Sequence, residues 1–146
     1  MSVIAFNAVQ QQAVTLIQAG ALFVGQTVLK DDGKIQPEEE AALRSLGQCV
    51  VVLPILDGET LGIATGSAII RVSVAVRFEV NPEKATLGIY DMVTSGVGAV
   101  LNYALTNKPD RFQLEDRGKT LDIYDLDPGL WAYTVFFSKA CVFNRL

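Results

Sequence analysis

Three stretches of this sequence bring acidic or glycine residues together at spacings that chemistry uses. Asp32-Gly33-Lys34-Ile35-Gln36-Pro37-Glu38-Glu39 has the layout of the second half of an EF-hand loop, with an aspartate-glycine turn, an isoleucine and a glutamate entering a helix. The first half departs from it, because Val28 and Lys30 stand where the leading aspartates belong. Calcium takes about six to eight oxygen ligands, and a lysine in the cage opposes the ion. The segment therefore reads as a turn and a helix start, with a degenerate calcium-binding domain as an alternative. Gly62-Ile63-Ala64-Thr65-Gly66-Ser67 lacks the lysine of a phosphate loop, and Gly96-Val97-Gly98 lacks the third glycine of a dinucleotide-binding turn. Both read as structural glycines. Asp122 and Asp125 fall on opposite faces of a strand, which argues against a shared ion and leaves Asp122, Asp125 and Asp127 as a solvated hairpin end.

What is missing narrows the chemistry further. The chain has no histidine, which removes Ser-His-Asp and Cys-His nucleophile systems and nearly every catalytic zinc site. Two cysteines, Cys49 and Cys141, cannot build a four-ligand zinc cage; they suit small buried thiols in a reducing compartment. A net charge of -4 without a basic cluster is a poor basis for gripping nucleic acid. It suits a path along which DNA slides without sticking. No enzyme, cofactor or metal is expected. No secretory signal or membrane span is expected either: Met1–Leu29 has no charged side chain, but Asn7, Thr15 and five glutamines interrupt it. The chain reads as a soluble protein of a cytoplasm.

The remaining candidates depend on the elements that place them. Residues Ser67–Val80 follow period two, with apolar residues from Ala68 to Val80 on one face and Arg71, Ser73, Arg77 and Glu79 on the other. That polar face is either solvated or buried in pairing between subunits. Leu130–Phe143 predicts a last strand. Trp131 and Tyr133 on one face read as core or interface anchors, and Phe136 on the other suggests a central strand or one that meets a neighbour. Phe6, Val9, Ala13, Leu16, Ile17, Gly20 and Val24 predict a helix from Phe6 to Gly25. Its uncharged outer side, including Gln11 and Gln18, suits packing against a second subunit.

Pro37 starts a short helix that Gly47 stops, and Cys49–Leu56 predicts a strand that Pro54 confines to an edge or a bulge. Asp57–Gly66, with three glycines, predicts a loop carrying Asp57 and Glu59. Thr86–Leu105 predicts a second long helix, tolerant of Gly96 and Gly98 if another element approaches closely. Phe112–Glu115 and Thr120–Leu126 predict a hairpin around Asp116-Arg117-Gly118. The expectation is one α+β domain over residues 1–146, an antiparallel sheet with two long helices packed on one face plus a short extra helix. Hydrophobic residues are 50% of the chain and charged residues 19%, at a mean hydropathy of +0.32, so a large apolar surface is expected against a partner.

Two segments carry a resemblance. Arg71–Pro82 ends a strand in Glu79-Val80-Asn81-Pro82 and leads into a helix, and Asp125–Phe143 contains Leu130-Trp131-Ala132-Tyr133-Thr134-Val135-Phe136. Over about half the chain this resembles the tail-terminator and tail-completion proteins of tailed bacteriophages. Val80 departs from the family's segment, and the helix at Pro37–Leu46 is an elaboration. The resemblance implies a virion subunit without catalysis. Copies would form a ring, commonly a hexamer, that ends the tail tube and meets the neck, with DNA passing through its lumen. Its partners would be itself, the tail tube protein and a neck or head-completion protein. Arg71, Arg77, Glu79, Trp131, Phe136, Gln11 and Gln18 are the candidate subunit contacts, and Asp57 and Glu59 the candidate lumen loop. The alternatives are a head-closure protein on the portal side and a small-molecule-binding α+β module.

Overall fold

The computed structural model describes residues 6–101, 111–115, 121–127 and 129–144, with the backbone alone at 64, 121–127 and 144. In chain order the elements are α1 (Phe6–Gln18), β1 (Val28–Lys30), α2 (Gln36–Ser45), β2 (Gln48–Val52), β3 (Asp57–Ala64), β4 (Ser67–Val80), α3 (Ile89–Leu101), β5 (Gln113–Leu114), β6 (Leu121–Asp127) and β7 (Leu130–Asn144). The strands form one seven-stranded sheet. The fold is α+β and the sheet mostly antiparallel, as its alternating strands predict.

Two long strands make the centre. β4 occupies Ser67–Val80, the span its period-two pattern predicts, and β7 pairs with it from Ser67↔Asn144 to Val80↔Trp131. β2 lies along the C-terminal half of β4 and β3 along the N-terminal half, so the two are parts of one row. Pro54 breaks that row because it has no N–H to give. Leu53 and Leu56 on either side still donate to the carbonyls of Ala75 and Ser73, at 2.9 and 3.0 Å. The expected Asp57–Gly66 loop is therefore mostly strand, and Gly66 (φ +80°) makes the turn into β4. β5 and β6 do not form the expected hairpin with each other. Each pairs with β7, at Phe137–Ser138 and at Leu130–Val135, so they too are parts of one row. The turn expected at Asp116–Gly118 lies outside the described residues.

The sheet has two covered faces. Val72, Val74, Val76, Phe78 and Val80 of β4 join Val135, Phe137 and Cys141 of β7 on the first, under α1 and α3. Cys49 and Val51 of β2 meet Ala42 and Leu43 of α2 on the second. β1, α2 and β2 form a parallel crossover, and Gly47 (φ +83°) turns α2 back into the sheet. The Lys84 ammonium donates to the Arg44 carbonyl at 3.1 Å, where the helix dipole favours a cation.

The first helix is shorter than its stripe predicts. It stops at Gln18, a 3-10 turn spans Ala21–Phe23, and Phe23 is buried where Val24 was expected, leaving Val24 exposed. The second long helix starts at Ile89 rather than Thr86, because the Thr86 N–H is held by Oε1 of Gln48 at 3.0 Å. Its expected last turn, 102–105, lies outside the described residues. Among the described residues no helix is long and apolar enough to cross a membrane.

Candidate functional site

Strand period two puts Arg77 and Glu79 side by side on the second face, and the crossover lays α2 over them. Glu39, in the first turn of α2, completes the group: Nη2 of Arg77 donates to Oε2 of Glu39 at 3.0 Å, and Nε lies 3.2 Å from Oε2 of Glu79. Glu79 is 1% exposed, with the Arg77 guanidinium as its ion-pair partner. Burial, and then the hydrogen bond its protonated form makes to Glu39, push its carboxyl up to about 9 against the pull of Arg77. Burial thus favours the neutral form of Glu79, beside a guanidinium that also meets Glu39. Cys49, beneath the same group, has its thiol pushed up by burial and by the carboxylates of Glu79 and Glu39. The cluster lines a groove of about 490 Å³ with Asp31, Gly33, Ile35, Gln36, Glu40, Leu43 and Leu130.

The sequence candidates are dispersed. The desolvated pairing on the β4 polar face is made within the chain by Arg77 and Glu79, under α2, rather than on a solvated face. Arg71, at the other end of that face, is exposed; it stands opposite Glu59 in register and shares a hollow of about 460 Å³ with Asp57, Glu59, Ser73 and Glu115. Asp57 and Glu59 are exposed, but they sit in β3, not in a loop. Phe136 is half-buried and Trp131 is 45% exposed. Gln11 and Gln18 are exposed on α1. Asp122, Asp125 and Asp127 lie in β6, where their side chains are not described. The segment at Asp32-Gly33 is a turn, and no group of three or more cysteine or acidic side chains among the described residues is placed to hold a metal ion. Cys49 and Cys141 are free, buried, and on opposite faces of the sheet.

Several working residues carry little signal in the sequence. Gln10 is buried, and its Nε2 donates to the carbonyls of Asp31 and Val52 at 3.0 and 2.9 Å, tying α1 across the ends of β1 and β2. Gln48 donates to Gln26 and to Thr86 at 2.8 and 3.0 Å, which satisfies a fully buried amide. The Lys139 ammonium donates to Gln12 and lies 5.2 Å from the centre of the Phe112 ring. Part of the glutamine surface of α1 thus serves the chain's own fold.

Large apolar side chains emerge at both ends of the β4–β7 pair. At the Ser67↔Asn144 end, Ile63 is 81% exposed, with Leu61 and Ile69 also exposed on the β3–β4 hairpin. Phe6 is half out of the surface there and stacks on Phe143 at 4.7 Å between ring centres. At the Val80↔Trp131 end, Trp131 borders an apolar groove of about 400 Å³ with Pro82, Leu87 and Ile89. Tyr90, 66% exposed, accepts a hydrogen bond from Tyr133 at 3.2 Å beside it. No protein-family model matches the sequence, and no curated protein matches it.

Proposed function

We propose that the chain is a ring-forming structural protein of a virion, placed at the head-proximal end of a phage tail, where it ends tail-tube growth and joins tail to neck. One observation carries this reading: two unlike apolar patches stand at opposite ends of the long strands. One holds Ile63, Leu61, Ile69 and Phe6, the other Trp131 and Tyr90. Exposed apolar area of this kind is covered in an assembly. Two different patches on one subunit suit a heterologous contact, which repeats from copy to copy and closes when its rotation allows. The resemblance of Arg71–Pro82 and Asp125–Phe143 to tail terminators supplies the setting and the partners, a tail tube protein and a neck protein. Asp57 and Glu59 on β3 offer negative charge to repel passing DNA.

The test is electron microscopy of the protein mixed with phage tail tubes, with mass by light scattering. The expected result is a ring at one end of each tube. Bare tube ends with the protein still a single copy would overturn the proposal, and rings bound to the portal instead would make it a neck protein.

A further inference from the structure

The β3–β4 hairpin and the Trp131 groove complement one another in chemistry and in form. From Thr60 to Ile70 the chain has no ionisable residue, although 19% of the sequence is charged. Exposed edge strands usually carry lysine or proline to keep other chains away, and this hairpin carries neither. Gly62, Thr65, Gly66 and Ser67 around the turn are small, so Ile63, 81% exposed, stands out from a slender tip. The groove at the other end, about 400 Å³, has no ionisable residue in its lining either; Pro82, Leu87, Ile89 and Trp131 give it apolar walls. Joining the two surfaces therefore strips water from no charge. Beside the groove, Tyr90 accepts the hydrogen bond of Tyr133 and keeps its own O–H to donate. The outer edge of β3, with no second partner strand among the described residues, has backbone carbonyls to receive it. Hairpin and groove lie about 40 Å apart along the long strands of one chain. A hairpin can thus enter only the groove of another copy.

We propose that the Ile63 hairpin of one copy seats in the Trp131 groove of the next copy. The proposal rests on the ring-forming reading and supplies its contact: the occupant of each groove is a second copy of this chain. Area sets the strength. Trp131 is 45% exposed and Tyr90 66%. Aromatic side chains bury about 150–250 Å² each, so these two offer on the order of 200 Å², against about 800 Å² per partner in a stable pair. A single contact is therefore weak, and two copies free in solution separate readily. In a closed ring every copy makes the contact twice and the last contact is intramolecular, so closure holds what one contact does not.

Cross-linking of the full chain tests this, with and without phage tail tubes. Ile63→Cys puts a thiol on the hairpin and Pro82→Cys puts one on the groove wall, both at exposed positions. The native Cys49 and Cys141 are buried, so the parent protein is the blank. With a short bis-maleimide, a mixture of the two variants should give a covalent dimer that neither variant gives alone. The double variant should give a ladder of higher multimers, stronger when tubes are present. Leu87→Cys takes the place of Pro82→Cys if loss of the proline unfolds its turn. A dimer from Ile63→Cys alone would mean that like edges pair, and a product between Pro82→Cys and tube subunits would give the groove to the tube. Either result, or no mixed dimer under both conditions, overturns the proposal. A ladder formed while tube ends stay bare keeps this contact and rejects the tail setting. Rings on tubes without the mixed dimer keep the ring and reject this contact.

Discussion

Glu79 keeps a proton inside the fold, and stability should show it. The ordinary value for its carboxyl is 4.5 and the folded chain raises it to about 9. Between those values the folded state holds a proton that the unfolded state has lost, so stability falls as pH rises. The contribution is complete below the lower value and gone above the upper one. Urea unfolding at about pH 5 and pH 8 should show the parent weakening with pH and Glu79→Gln weakening less; equal slopes would remove Glu79 from this account. Gly96 is a second test. A Cβ there would overlap Cε1 and Cζ of Phe78, a buried ring. Gly96→Ala should therefore cost about 1–3 kcal/mol despite the better helix propensity of alanine, measured by the same unfolding. Gly98 meets nothing, so Gly98→Ala at that exposed helical position should stabilise by up to about 1 kcal/mol. The sequence shows that two glycines in a helix want a close neighbour; only the packing shows that one of them has it. Arg77 and Glu79 were legible as a pair on one face, but nothing local joins Glu39 to them, because it lies 38 residues from Arg77.

At the scale of elements, legibility follows the strength of the local pattern. β4 was readable end to end because every second residue from Ala68 to Val80 is apolar, while Arg71, Ser73, Arg77 and Glu79 stand between them. β3 was not, since Gly58 and Gly62 interrupt it and its register shifts between Thr60 and Gly62. β1 has three residues, too few for any period. β5 and β6 were visible as strands, yet their pairing is decided by the long edge of β7, which a local turn signal cannot reveal. The two-part row of β2 and β3 leaves β3 with no second partner strand among the described residues, and it carries Ile63 at the surface. Such an edge invites pairing with another chain. Ile63→Lys should change monomer stability by no more than about 0.5 kcal/mol, as for other surface positions. It should abolish ring formation on tail tubes in micrographs; rings of normal number would free the hairpin from any part in assembly.

For the whole molecule, an α+β class with mostly antiparallel pairing follows from alternating strands between two amphipathic helices. The side on which α2 packs did not follow, because it depends on how β1 crosses over to β2. One further property comes with the arrangement. The chain has one tryptophan, and Trp131 stands at the far end of the long strands from Ile63, about 40 Å away at the usual rise per strand residue. Its indole emission is therefore a built-in gauge of what touches that end alone. If neighbouring copies meet hairpin to indole, assembly should shift the emission to shorter wavelength and shield it from acrylamide quenching, while Ile63→Lys, altered 40 Å away, leaves the colour of the light unchanged.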